Sequence, residues 1–181
     1  MTRRDNARLA GFSYLFYIAV AFSSMMLATH VRLAAVLTLL SSFCALALAV
    51  SLWAITRDQD ADLAMLGLTC RVAEGVTSAV TIPASLGAVG LQDSAVVAAS
   101  CFALGSTLFS WLLLRGRMIP VALAWLGVVA SFLLVVALPL QLGGILHGSI
   151  TQLIWIPMAA FEIPLGFWLL IKGVRDVPGA T

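Results

Sequence analysis

Leu63-Ala-Met-Leu-Gly-Leu-Thr-Cys-Arg71-Val-Ala-Glu74-Gly-Val-Thr-Ser-Ala-Val-Thr-Ile-Pro-Ala-Ser85 is the stretch on which the fold turns. It is largely apolar and continues so to Leu91, yet it carries an arginine and a glutamate three residues apart. Inside a bilayer a charged side chain costs ~3 kcal/mol or more and faces protein or water rather than lipid. Alternating steps of four and three from Gly67 give Arg71, Glu74, Ser78, Thr81 and Ser85, which share one helical face. A helix with this polar stripe has to be covered by other helices.

The rest of the chain supplies those helices. Of its 181 residues 62% are hydrophobic and 10% charged, and the mean hydropathy is +1.08. A soluble domain typically carries about 25% charged residues, so so much apolar surface has nowhere to hide in water. The expectation is an all-α polytopic membrane protein. Six spans can be placed, at about Leu9–Ala28, Leu33–Ile55, Leu63–Leu91, Ala95–Leu114, Val121–Leu140 and Ile150–Ile171, in a single six-helix bundle over residues 1–181. Leu9–Ala28 is of spanning length, longer than the ~7–15 residues of a secretory h-region, so it reads as a retained span. Asp62 is the expected N-cap of the third helix, with Asp60 adding favourable charge. A bend is expected at Pro83, a turn at Gln92-Asp93-Ser94, and interruptions of the sixth span at Pro157 and Pro164.

Charge sets the expected orientation. If all six spans cross, one side holds Arg3, Arg4, Arg8, Arg57, Arg115, Arg117, Lys172 and Arg175, and the other holds Arg32 alone. Basic residues favour the cytoplasmic side. Both termini are therefore expected in the cytoplasm. Reporter fusions at Gln59 and at the C-terminus should read cytoplasmic and a fusion at Gln92 external; an external C-terminus would sink the six-span reading.

The buried charges are the candidate site. Arg71 is eight residues into span three, roughly 12 Å deep, and Glu162 is nine residues from the end of span six, roughly 13 Å deep. Matched depth on opposed helices predicts a buried Arg71–Glu74–Glu162 cluster, with spans three and six in contact. The planar fork of Arg71 suits two carboxylates. One arginine with two carboxylates leaves one surplus negative charge, to be met by a proton or another cation. Ser78 and Thr81 continue the stripe, and Tyr14 and Tyr17 share a face of span one, so these four are candidate lining residues. Glu74 and Glu162 also stand at similar places in two three-helix halves, a weak echo of inverted repeats.

Three functional classes follow. The first is binding or transport of a small molecule, ion or proton at the cluster. The second is a non-catalytic subunit or scaffold whose buried charges only orient helices. The third is an intramembrane enzyme, against which stands the lack of a Ser/His pair at one depth and of H-E-x-x-H. No cofactor or metal centre is indicated: there are two histidines and three dispersed cysteines, and no phosphate-binding glycine loop. The partners implied are the lipid bilayer and a small-molecule or lipid ligand. The arginines flank spans and form no basic groove for nucleic acid.

Four segments carry a family resemblance: Asn6-Ala-Arg-Leu-Ala-Gly11 with Tyr14; Asp62-Leu-Ala64 with Arg71-Val-Ala-Glu74; Gly116-Arg-Met-Ile-Pro120 with Leu126-Gly127; and Glu162-Ile-Pro-Leu-Gly-Phe-Trp-Leu-Leu-Ile-Lys-Gly173. Through them the chain resembles a family of small bacterial integral membrane proteins, domain of unknown function family 4386. Where such proteins carry a histidine in span four, this chain has Cys101, Ala103 and Ser106. The resemblance implies a bacterial six-helix membrane protein and brings no activity with it.

Overall fold

A computed structural model of the chain describes residues 2–27, 29–85 and 94–175, and within the helices every side chain except those of Met25, Thr81, Pro83, Ala84 and Ser85. The helices are α1 (Arg3–Met26), α2 (Val31–Thr56), α3 (Ala61–Ser85), α4 (Ser94–Arg115), α5 (Val121–Leu142), α6 (Ile150–Leu153) and α7 (Ile156–Ile171). Among the described residues there is no strand. Counting α6 and α7 together as Ile150–Ile171, six helical lengths are long and apolar enough to cross a membrane. The side-chain stripe at Thr81 and Ser85, the bend at Pro83, the end of span three at Leu91 and the turn residues Gln92 and Asp93 lie outside what is described.

Local chemistry explains where the ends differ from expectation. α1 begins at Arg3, six residues before Leu9, because Thr2 and Asp5 form a capping box: the Asp5 amide donates to Thr2 Oγ1 (3.2 Å) and the Thr2 amide to Asp5 Oδ2 (2.9 Å). α3 is capped by Asp60, not Asp62. The Leu63 amide donates to Asp60 Oδ1 at 3.1 Å, and Asp62 sits in the first turn. The sixth span breaks at Ile154-Trp155, just ahead of Pro157, which has no N–H to donate and crowds the preceding turn. α7 runs through Pro164 without interruption.

The helices close into a ring. α1 packs on α2, α2 on α3, α3 on α4 and α4 on α5; α7 packs on both α1 and α5 and completes the circuit. α3 and α7 therefore stand on opposite sides of the ring with no extensive packing between them. Spans three and six, expected in contact, are thus not packing neighbours: short loops make sequential helices neighbours, and α7 returns to α1 instead. The two closest joints rely on glycine. A Cβ on Gly11 would lie 2.5 Å from the Leu170 amide nitrogen and 2.7 Å from the Gly166 carbonyl oxygen. A Cβ on Gly127 would lie 2.4 Å from the Phe161 ring.

The outer surface is apolar. Phe12, Phe22, Phe43, Val76, Val129, Phe132 and Ile156 are all exposed, as side chains that meet lipid are expected to be. Apart from Arg32 and the buried Arg71, the arginines collect at one end of the ring. Arg3 Nη2 donates to the Ile55 carbonyl (3.2 Å) at the end of α2, and Arg115 pairs with Asp60 (3.4 Å). The Arg175 amide donates to the Met118 carbonyl at 3.0 Å, which brings the end of the described chain to the α4–α5 turn.

Candidate functional site

α3 supplies the charges. Arg71 and Glu74 are one turn apart, so their side chains meet on one face. Arg71 Nη1 lies 2.8 Å from Glu74 Oε2, and the two side chains are 1% and 4% exposed. The contact is an ion pair by distance, but the N–H does not aim at the oxygen, and neither atom has a hydrogen-bond partner. Tyr17 of α1 donates its hydroxyl proton to Glu74 Oε1 at 3.0 Å. The Arg71 guanidinium carbon lies 4.7 Å from the centre of the Phe102 ring and 5.9 Å from that of Tyr17. These cation–π contacts give a desolvated cation part of what water would give it.

Room for Arg71 is made by α4. A Cβ on Gly105 would lie 2.9 Å from Arg71 Cγ and 3.0 Å from Cδ, so only glycine lets the arginine stem lie across that helix. Next to Gly105, the Ser106 hydroxyl is buried with no hydrogen-bond partner among the described residues. Phe102, on the same face, stacks obliquely against Trp155 at the break in the sixth span, with ring centres 5.9 Å apart. Sequence reading missed Phe102 and took Gly105 only as a small residue for close helix packing. Their signal was present, because Phe102, Gly105, Ser106 and Phe109 fall on one helical face, but an apolar face with small residues reads first as packing.

Glu162 comes from the far side of the ring. It is 5% exposed, and its Oε1 is buried with no hydrogen-bond partner among the described residues. It makes no direct ion pair with Arg71, so the three-residue cluster is not one tight triad. Tyr14 of α1 is 2% exposed and packs against α7 one turn from Glu162, where a Cβ on Gly166 would lie 3.3 Å from Tyr14 Cβ. Of the lining candidates, Tyr17 touches the acid, Tyr14 is buried near it, Ser78 is partly buried one turn beyond Glu74, and the Thr81 side chain lies outside the described residues.

The arrangement is thus an Arg71–Glu74–Tyr17 unit joining α3 to α1, with a separate buried carboxyl opposite. A family profile described as Domain of unknown function (DUF4386) matches residues 19–173. The chain belongs to the DUF4386 family. The matched stretch contains Arg71, Glu74 and Glu162, but begins after Asn6–Gly11, Tyr14 and Tyr17. The tyrosine partner of Glu74 therefore lies outside the DUF4386 match. No curated protein and no solved structure matches the chain.

Proposed function

We propose that this DUF4386 protein is a membrane-embedded binding or transport protein that holds a proton or a small cation at Glu162, with Arg71, Glu74 and Tyr17 fixing the surrounding field. The carrying observation is the distribution of unpartnered buried polar atoms. Among the described residues Glu162 Oε1, Arg71 Nε and Nη2 and Ser106 Oγ lack a hydrogen-bond partner, while Arg71 Nη1 and Glu74 Oε2 have only their ion pair at 2.8 Å. In a native interior the great majority of such atoms are satisfied, and in low dielectric an unpaired group is costly. A bound proton or cationic ligand would meet the Glu162 carboxyl, while the Arg71 N–H groups call for an acceptor such as water. One arginine with two carboxylates leaves one negative charge, which favours a positive occupant over an anion. The reading places the protein in a bacterial inner membrane with both termini cytoplasmic, in keeping with the arginines at one end of the ring.

A second reading applies to part of the site. Arg71, Glu74 and Tyr17 touch one another and pack on Gly105 of α4, so that unit also orients helices. Among the described residues Glu162 makes no ion pair or hydrogen bond, and it is the residue that separates the two readings.

The test uses purified protein in vesicles loaded with a pH-sensitive dye. Under an imposed membrane potential, wild-type protein is expected to pass protons, or to show saturable thermal stabilisation by ammonium or simple alkylamines. Glu162→Gln keeps a hydrogen-bonding group and removes the charge. It is expected to bring flux or stabilisation close to the protein-free level, while unfolding stability in detergent changes by about 1 kcal/mol or less. Wild-type protein with neither property, or a Glu162→Gln variant that keeps it in full, would contradict the proposal.

A further inference from the structure

A second site is built at the arginine-rich end, away from the buried charges. Between the end of α4, the start of α5 and the last described residues lies a groove of about 610 Å³. Arg115, Arg117 and Arg175 line its rim, and Trp111, Val121 and Trp125 line its wall. No acidic residue is among the lining residues. Arg115 is shared with Asp60 at 3.4 Å, while Arg117 has no ion-pair partner among the described residues. Arg175 rests with its guanidinium carbon 6.0 Å from the centre of the Trp168 ring. Asp176 lies outside the described residues.

The groove is layered. Trp111 stands one turn before Arg115 on α4, and Trp125 one turn after Val121 on α5. Both tryptophans are about half exposed, at 44% and 51%. Charge therefore lies at the membrane end, with amphipathic rings one turn deeper. That order matches a phospholipid: phosphate outermost, then glycerol esters, then acyl chain.

Arg117 adds an independent observation. It is the only described residue other than glycine with positive φ, at 47°. Its amide donates to Leu114 and the Met118 amide to Leu113, the pattern that closes a helix with a left-handed residue. Glycine ordinarily fills that position. Here Gly116 is the residue before it, where a Cβ would lie 2.7 Å from Met118 Cε and 3.0 Å from Gln59 Cδ. A long cation thus occupies a backbone position where glycine is less strained, and its side chain lines the groove.

We infer that this groove is a binding site for an anionic phospholipid, with Arg117 and Arg175 on the headgroup phosphate and Trp111, Val121 and Trp125 along the upper acyl chains. The inference does not depend on the role of Glu162.

The test measures tryptophan quenching by brominated phosphatidylglycerol against brominated phosphatidylcholine in mixed vesicles. Each arginine near an anionic lipid surface contributes roughly fivefold in affinity. Wild-type protein is expected to prefer phosphatidylglycerol by about tenfold or more, and Arg117→Gln with Arg175→Gln to lose most of that preference. Arg57→Gln with Lys172→Gln removes the same charge at the same end but outside the groove, and is expected to leave the preference within about twofold. Arg117→Gly is expected to lower the preference while thermal stability stays level or rises, which a structural role for this side chain would not allow. Equal losses in the two double variants, or no preference in wild type, would overturn the site. Displacement of the lipid by millimolar inorganic phosphate would overturn its assignment to a lipid.

Discussion

Arg71→Leu is expected to be the most damaging single substitution in this chain. The arginine is 0% exposed, and its guanidinium lies 2.8 Å from Glu74, itself 3% exposed. Removing it strands a carboxylate in low dielectric with only the Tyr17 hydroxyl as partner. Breaking a buried pair from one side costs about 3–5 kcal/mol. Protonation of the stranded acid relieves part of this, so a loss near about 3 kcal/mol is expected. Arg71→Leu combined with Glu74→Gln should recover at least half of the loss, because the uncompensated charge is gone. The pairing geometry adds a further requirement. Arg71 contacts Glu74 directly and Glu162 only at a distance, so a double-mutant cycle should give a larger coupling for Arg71 with Glu74 than with Glu162. Thermal unfolding in detergent of the single and double variants reads all of these. An Arg71→Leu protein as stable as wild type, or a larger coupling to Glu162, would show that the pairing is wrong.

Gly11→Ala is expected to loosen the ring at the joint that closes it. The added carbon would meet backbone atoms of α7, at 2.5 Å from the Leu170 nitrogen and 2.7 Å from the Gly166 oxygen. No rotamer change relieves a clash with backbone, so α1 and α7 must separate. Overpacking of this kind costs about 1–3 kcal/mol. The effect should reach the site, because Tyr14 lies one turn beyond Gly11 on α1 and is buried near Glu162. Gly67→Ala is the comparison. Its Cβ would come 3.1 Å from the Phe109 ring, a side chain that can shift. Gly67→Ala should therefore destabilise less than Gly11→Ala in the same unfolding measurement. If the two are equal, the α1–α7 contact is not the tight joint described.

Much of the fold was legible because lipid imposes a simple rule. Backbone groups must be satisfied within each segment, so every long apolar run becomes a helix. Composition and run length placed six spans, and six helical lengths able to cross a membrane are present among the described residues, with α1 starting six residues earlier than expected. The shifts at α1 and α3 came from capping by Thr2, Asp5 and Asp60, where several acidic or hydroxyl side chains compete for the same amides. The break ahead of Pro157 and the continuity through Pro164 differ because Pro157 falls near a helix start and Pro164 within a packed helix.

The candidate site was legible in its parts and not in its pairing. The spacing of Arg71 and Glu74 alone put both on one helical face, and their charge alone required burial, because neither is tolerated against lipid. Depth along the helix was also fixed by residue count. The position of a helix around the ring is not a function of its sequence period. It is decided by which small residues let which backbones approach. Gly11 against Gly166 and Leu170 brought α7 to α1, opposite α3. Gly105 gave Arg71 its place on α4, and Tyr17 rather than Glu162 became the hydrogen-bond partner of Glu74. Sequence determined that the chain has six helices able to span a membrane and that these charges are buried. Tertiary packing alone decided which of them touch, because contact across a ring depends on close approaches between helices far apart in the chain.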